Sequence, residues 1–280
     1  MWRWLAGLLP GGGRRETAVE IPDGMWRRIL DDQPELAGLD AGIAERLREL
    51  AGGFLGGRPF YGGDGFLPDA AMQARIAALA TLPVLELGEK WLDGIRSVVV
   101  YPDAFHVDHE EVDDAGVVHE VSDLRAGEAW EHGTLVLSWA DVEAGLDPHL
   151  ATSVVVHEVA HFLDGVNGAE NGFPPLPKDC DRGQWTQDFQ AAFDRLDAQV
   201  ESGREPGIDP YAATNPAEFF AVSSEYFFRA PDELAHFDAR LYAHLACFYR
   251  QDPRRRLFPA PTADGRLDSA DPAGKFPPNV

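Results

Sequence analysis

Three observations predict an α+β fold. Helical periodicity fills the chain up to about residue 80, two short β-branched runs occupy residues 97–102 and 133–142, and helical patterns return from about residue 149. Helices, then strands, then helices favour α+β over a doubly wound sheet, which would alternate the two along the chain. With 280 residues the chain can bury a large core, and no repeat or long linker forces an internal boundary. The expected division is a flexible segment over 1–21, one domain over 22–253 and a flexible Pro/Asp-rich tail over 254–280.

The elements follow in order. Residues 23–31, 41–51 and 68–80 have helical patterns, the last (PDAAMQARIAALA) with Pro68 in its first turn. SVVVYP at 97–102 reads as a strand ended by proline, and the acidic stretch after it alternates near Val117 to Val121 as a short hairpin would. GTLVLSWADV at 133–142 is a further strand. A helix is expected from about His149, with Asp147 as cap and Pro148 in its first turn, and another begins at Asn215 with Pro216 behind it. Leu234, Phe237, Leu241, Leu245 and Phe248 form the apolar stripe of one last helix, which leaves His236 and His244 on the surface. His106 and His109 fit a solvated loop, and His119, His132 and His149 show no partnered pattern.

Composition excludes several functions. A net charge of −23, from 47 acidic and 24 basic residues, repels a phosphate backbone, so no direct nucleic-acid binding is expected. No stretch reaches the roughly 18–20 apolar residues of a membrane span, and MWRWLAGLLPGGGRR is broken by Gly7 and Pro10 without a signal-peptide cleavage pattern. Cys180 and Cys247 are too few for a disulfide scaffold, and a reducing cytoplasm fits them.

The chemistry is in TSVVVHEVAHFLDG, residues 152–165. His157 and His161 lie one turn apart on one face of a helix, so both imidazoles can address one ion, while Glu158 sits about 100° round, where a base acting on metal-bound water belongs. The segment is otherwise apolar, and unpaired polar groups there would cost about 1–3 kcal/mol each. Asp164 and Asn167 stand where the extended metzincin pattern needs Gly and His, which excludes that class. A later glutamate is the natural third ligand. Glu218 and Glu225, seven residues apart on nearly one face, are rivals that spacing does not separate, and Glu218 also fits a capping box with Asn215. Asp164, near a helix C-terminus where a carboxylate is unfavourable, needs a partner, with a bond that orients a ligand as the working hypothesis.

With HEVAHFLDGVNG followed by DPYAATNPAEFFAVSSEYFFRAP, and with RPFYGGDG, IAALATLPVLELG, VVVYPDAF and GTLVLSWADV earlier, the chain resembles the Mlc titration factor A family of zinc metallopeptidases over roughly residues 22–253. The resemblance implies a zincin-like domain with a core similar to the catalytic part of anthrax lethal factor. It also implies one Zn2+ on His157, His161 and Glu218, Glu158 as catalytic base, and Tyr211 as a stabiliser of the transition state. Aminopeptidase-like hydrolysis of short peptides follows from the same source, with the strand at 133–142 expected to offer a sheet edge to an extended peptide. The alternative function that it implies is regulatory, the binding and sequestration of a transcriptional repressor of sugar uptake, of the Mlc type.

Overall fold

The computed structural model describes residues 18–103, 105–112, 118–125, 127–130 and 133–257, and of residues 105–130 the backbone path. Expectations for residues 1–17 and 258–280, and for the side chains of His106, His109, His119 and His132, fall outside the described residues.

Helix α1 (Asp23–Asp32) and α2 (Ala41–Gly57) open the fold. The Asp40 side chain caps α2 on the Ile43 N–H. α2 runs past residue 51 through GGFLGG because packing overrides poor propensity there: Ala51 and Phe54 are buried, and Gly52 lies against the backbone of Val19, where a Cβ would sit 2.5 Å from the Val19 carbonyl oxygen. Strand β1 (Phe60–Gly62) leads to α3 (Ala70–Thr81). Its cap is Asp69, which accepts from the Ala71 and Met72 N–H groups, so Pro68 precedes the helix instead of entering its first turn.

Strands β2 (Ser97–Tyr101), β3 (Phe105–Val112), β4 (Val118–Arg125), β5 (Gly127–Trp130) and β6 (Thr134–Ser138) follow. Strands β3 and β4 pair with each other as a long antiparallel hairpin. The main sheet has the order β1-β2-β6-β5, with β1, β2 and β6 parallel and β5 antiparallel to β6. Strand β6 is therefore interior, which overturns the expectation that it offers a free edge. Leu135, Val136 and Leu137 are all buried, the mark of a strand covered on both faces.

Helix α4 (Trp139–Ala144) ends in a turn, and α5 (Val154–Gly165) starts five residues later than expected from His149. Asp147 accepts from the His149 N–H in an isolated turn, and the Arg229 guanidinium donates to the Gly145, Asp147 and Leu150 carbonyls. Those carbonyls are thereby held outside a helical ladder. Helix α6 (Arg182–Glu201) is followed by α7 (Pro216–Arg229), whose Asn215 cap and leading Pro216 are as the sequence predicts. The expected single helix over 234–248 is two, α8 (Pro231–Phe237) and α9 (Ala239–Tyr249), because Asp238 turns its side chain onto the Arg240 and Leu241 N–H groups. Helix α10 (Pro253–Leu257) closes the described chain.

The core is aromatic on the helical side. Trp185 from α6, Phe219, Phe220, Phe227 and Phe228 from α7, and Phe248 and Tyr249 from α9 are fully buried, each burial contributing about 1.5–3 kcal/mol. The expected surface position of His244 and the expected reduced state of the cysteines both fail here. The His244 ring packs on Trp185, and its Nε2 lies 2.9 Å from Asp188 Oδ2, since α6 covers that side of α9. Cys180 and Cys247 form a disulfide across 67 residues, which the reading of two reduced cysteines did not foresee. Among the described residues no helix is long and apolar enough to cross a membrane.

Candidate metal centre

Helix α5 packs on α7 and on strands β5 and β6, and the site lies along the α5–α7 contact. Glu218, near the start of α7, reaches both His157 and His161, while Glu225, two turns on, reaches Ser153 and His157. Partners on α5 thus move towards its N-terminus as α7 advances, so the two helices run antiparallel.

His157 Nε2, His161 Nε2 and Glu218 Oε2 form a small triangle. The two nitrogens are 3.2 Å apart, and the oxygen lies 3.1 Å from the first and 3.4 Å from the second. Glu218 Oε2 is buried and makes no aligned hydrogen bond despite both approaches, and it converges on one point with the two nitrogens, which lie within hydrogen-bond distance of each other. A tetrahedral ion with arms of about 2.0–2.1 Å has ligand–ligand edges of about 3.3–3.4 Å, which the triangle matches. Among the described residues this is the one group of three or more such donors close enough to share an ion. Two imidazoles and a carboxylate suit a borderline-soft divalent cation.

The capping-box reading of Glu218 gives way at the same point: Asn215 Oδ1 accepts from the Ala217 and Glu218 N–H groups, while the Glu218 carboxylate faces the histidines. Glu225 is not in the triangle. Its Oε1 lies 2.7 Å from His157 Nδ1, and its Oε2 accepts from the Ser153 N–H at 2.5 Å. Spacing along α7 had presented Glu225 only as a rival to Glu218, and its seven-residue offset was the signal that both face the same helix.

Electrostatics follow from this packing. Burial works to lower the pKa of His157, but the charge of Glu225 and the close contacts of Glu218 and Glu225 outweigh it and hold the imidazole well above its ordinary value. Burial works to raise Glu218, and its contacts with His157 and His161 and their charge outweigh that, holding it far below the usual carboxylate range. Both directions describe the metal-free protein, in which a proton takes the place of a cation.

The remaining expected residues are close by. Glu158 is buried at 4% exposure beside His157 on α5. The Tyr211 ring centroid is 6.3 Å from that of His157, and the residue is 44% exposed, on the solvent side of the site. A short turn at Pro210–Ala213 holds it, capped by Asp209, whose side chain accepts from the Tyr211 N–H and whose own N–H donates to the Tyr226 hydroxyl. Asp164, fully buried, has a partner of another kind than a ligand: its Oδ2 accepts from the Gly172 N–H at 2.7 Å. Burial raises its pKa, against the lowering effect of backbone bonds from Gly172, Asn171 and Phe173. Gly172 in turn packs on Pro216 at the head of α7, so Asp164 registers α5 against the helix that carries Glu218.

The chain also matches known proteins. The family model of the glucose-regulated metallo-peptidase M90 matches residues 13–250. Mlc titration factor A of Yersinia enterocolitica serotype O:8 / biotype 1B is 39% identical over 252 residues, covering 89% of this chain and 93% of that protein. The proteins of the same name from Yersinia pestis (strain Pestoides F) and Yersinia pseudotuberculosis serotype O:1b are 41% identical over 235 residues, 83% of this chain and 86% of theirs. The chain belongs to the M90 family of metallopeptidases.

Proposed function

We propose that the protein is a zinc-dependent peptidase in which His157, His161 and Glu218 hold one Zn2+, Glu158 is the general base and Tyr211 supports the transition state. The observation that carries this reading is the triangle of His157 Nε2, His161 Nε2 and the hydrogen-bond-less Glu218 Oε2. His157, His161 and Glu218 would hold the ion, which when bound would supply a more acidic water and a polarised substrate carbonyl. Glu158, one residue from His157 and about 100° round α5, accepts the proton of the attacking water on its carboxylate and returns it to the departing amine. The Tyr211 hydroxyl donates to the carbonyl oxygen as negative charge grows there, an oxyanion-hole role that its position on the exposed side of His157 supports.

The substrate in this reading is a peptide, and the activity is aminopeptidase-like. Strand β5, at the end of the sheet and in contact with α5, replaces β6 as the edge on which an extended peptide docks. A zincin-like domain spanning residues 22–253, with a core like that of the anthrax lethal factor catalytic domain, belongs to the same proposal. Its support is the mixed sheet with the HEVAH helix packed on β5 and β6. Purified protein should carry about one zinc per chain and hydrolyse short peptides with free amino termini faster than blocked ones. Glu158→Gln should keep the metal and lose about 10²–10⁴-fold in kcat. Protein without zinc, or a Glu158→Gln variant at wild-type rate, refutes the proposal.

A second reading rests on the relatives' name, which describes titration of Mlc. In it the chain binds a transcriptional repressor of the Mlc type, which places the protein in the cytoplasm. Capture of the repressor by Glu158→Gln, with hydrolysis lost, would separate this role from catalysis; absence of any stable complex with wild type removes it.

A further inference from the structure

The two carboxylates of α7 that face α5 do different work. Glu218 enters the triangle of prospective ligands, whereas Glu225 stands behind His157 with both oxygens engaged by α5. Ser153 is the N-cap residue of α5, yet its own side chain makes no capping bond. Its N–H is one of the donors that a helix start leaves without an intrahelical partner. Glu225 accepts that N–H from a different helix, much as a third-position glutamate does within a capping box. Its other oxygen meets His157 Nδ1, so a single carboxylate, 6% exposed, couples the start of α5 to the first histidine on it.

The second histidine has nothing equivalent. His161 Nδ1 is buried without a hydrogen bond, and the nearby Asp164 turns its carboxylate to the backbone N–H groups of the loop around Gly172. The two imidazoles are therefore unequally held, and only His157 has its ring rotation and its tautomer fixed by a charged acceptor. A proton on Nδ1, donated to Glu225, leaves the lone pair on Nε2, the atom that faces the centre of the triangle.

We propose that Glu225 is a positioning residue of the metal centre: it holds the His157 tautomer that presents Nε2 to the ion and ties that ring to the N-terminus of α5. The inference rests on the zinc reading given above. Glutamine cannot reproduce the arrangement, because its amide has one acceptor oxygen for two N–H groups. With that oxygen on the Ser153 N–H, the amide NH2 faces His157 Nδ1 and favours the tautomer with a proton on Nε2, where the ion should bind.

The test measures Zn2+ affinity by competition with a chelating dye for wild type, Glu225→Gln and, as an exposed control, Glu233→Gln, with the Co2+ absorption spectrum as a report on ligand geometry. Glu225→Gln should melt cooperatively, bind Zn2+ about 10–100-fold more weakly and shift the Co2+ bands, while the control matches wild type. Glu225→Gln binding within twofold of wild type, with an unchanged Co2+ spectrum, overturns the inference and leaves the zinc reading standing. Wild type that binds no zinc overturns both. A measurement on wild type alone covers a variant that does not fold. In zinc-loaded protein with 15N-labelled histidine, one ligand histidine should show an Nδ1 proton protected from exchange with water and the other should not. Two equivalent ligand histidines, or His157 bound through Nδ1, would overturn the proposal.

Discussion

Arg229 gives the sharpest test of how the centre is held in place. Its guanidinium is 1% exposed, as is the carboxylate of Glu35 that it meets at 3.1 Å, and the same group donates to the Gly145, Asp147 and Leu150 carbonyls on the segment leading into α5. Arg229→Met keeps much of the apolar stem but strands a buried carboxylate and three carbonyls. Removing one partner of a buried pair costs about 3–5 kcal/mol. Arg256, which donates to the Glu35 backbone carbonyl, remains beside it as a second positive charge and places the expectation in the lower half of that range. At about 2–4 °C per kcal/mol for a domain of this size, about 3–4 kcal/mol lowers Tm by about 6–16 °C. Calorimetry on metal-free protein reads this directly. Adding Glu35→Met to Arg229→Met should recover part of the loss, since the uncompensated charge goes with it. A cooperative melt within about 3 °C of wild type for the single variant would refute the argument.

Two further outcomes follow from the same geometry. Gly172 has φ +74°, and a Cβ there would sit 2.5 Å from the Pro216 carbonyl oxygen, so Gly172→Ala strains the backbone and pushes on the head of α7. A cost of about 1–3 kcal/mol in chemical denaturation is expected, together with weaker metal binding, and an unchanged midpoint would count against the registering role of this loop. His157 sets a pH dependence. Its folded pKa in metal-free protein lies above the unfolded one, so its contribution to stability is fully present below the unfolded pKa and is lost as pH rises through the folded value. Metal must displace that proton, so Zn2+ affinity should climb with pH by up to about tenfold per unit while the stability of metal-free protein falls; affinity flat between about pH 6 and 8 would contradict this.

Local spacing was enough to single out part of the candidate site. His157, Glu158 and His161 lie within five residues, and the face each takes on a helix is fixed by 3.6-residue geometry alone. Asn215 and Pro216 likewise announced the start of α7 through chemistry that acts over two or three residues. What failed depended on neighbours distant in sequence. Strand β6 looked like an edge because nothing in it reveals that β5 turns back to pair with its outer side. His244 looked exposed until α6 brought Asp188 and Trp185 to it. Cys180 and Cys247, 67 residues apart, had no local sign of being neighbours. The start of α5 was misplaced because the carbonyls that would have extended it are taken by Arg229, about eighty residues on.

Helix α7 shows why the separation of Glu218 from Glu225 had to wait for three dimensions. Glu218, Glu225 and Arg229 follow steps of seven and four and so share one face of a helix whose other sides carry buried phenylalanine, alanine and valine. Charged groups in such a helix demand partners, because leaving them unpaired costs several kcal/mol each. That much is a local deduction. Which partner belongs to which charge depends on the direction in which α7 crosses α5, and only the antiparallel course sends Glu218 to both histidines, Glu225 to Ser153 and the back of His157, and Arg229 to the turn before them. Reversed, the same stripe would have put Glu225 nearest His161 and Glu218 behind His157, with no change in spacing. Which carboxylate joins the two histidines is thus a property of helix direction, and the polar stripe records only that each charge needs a partner.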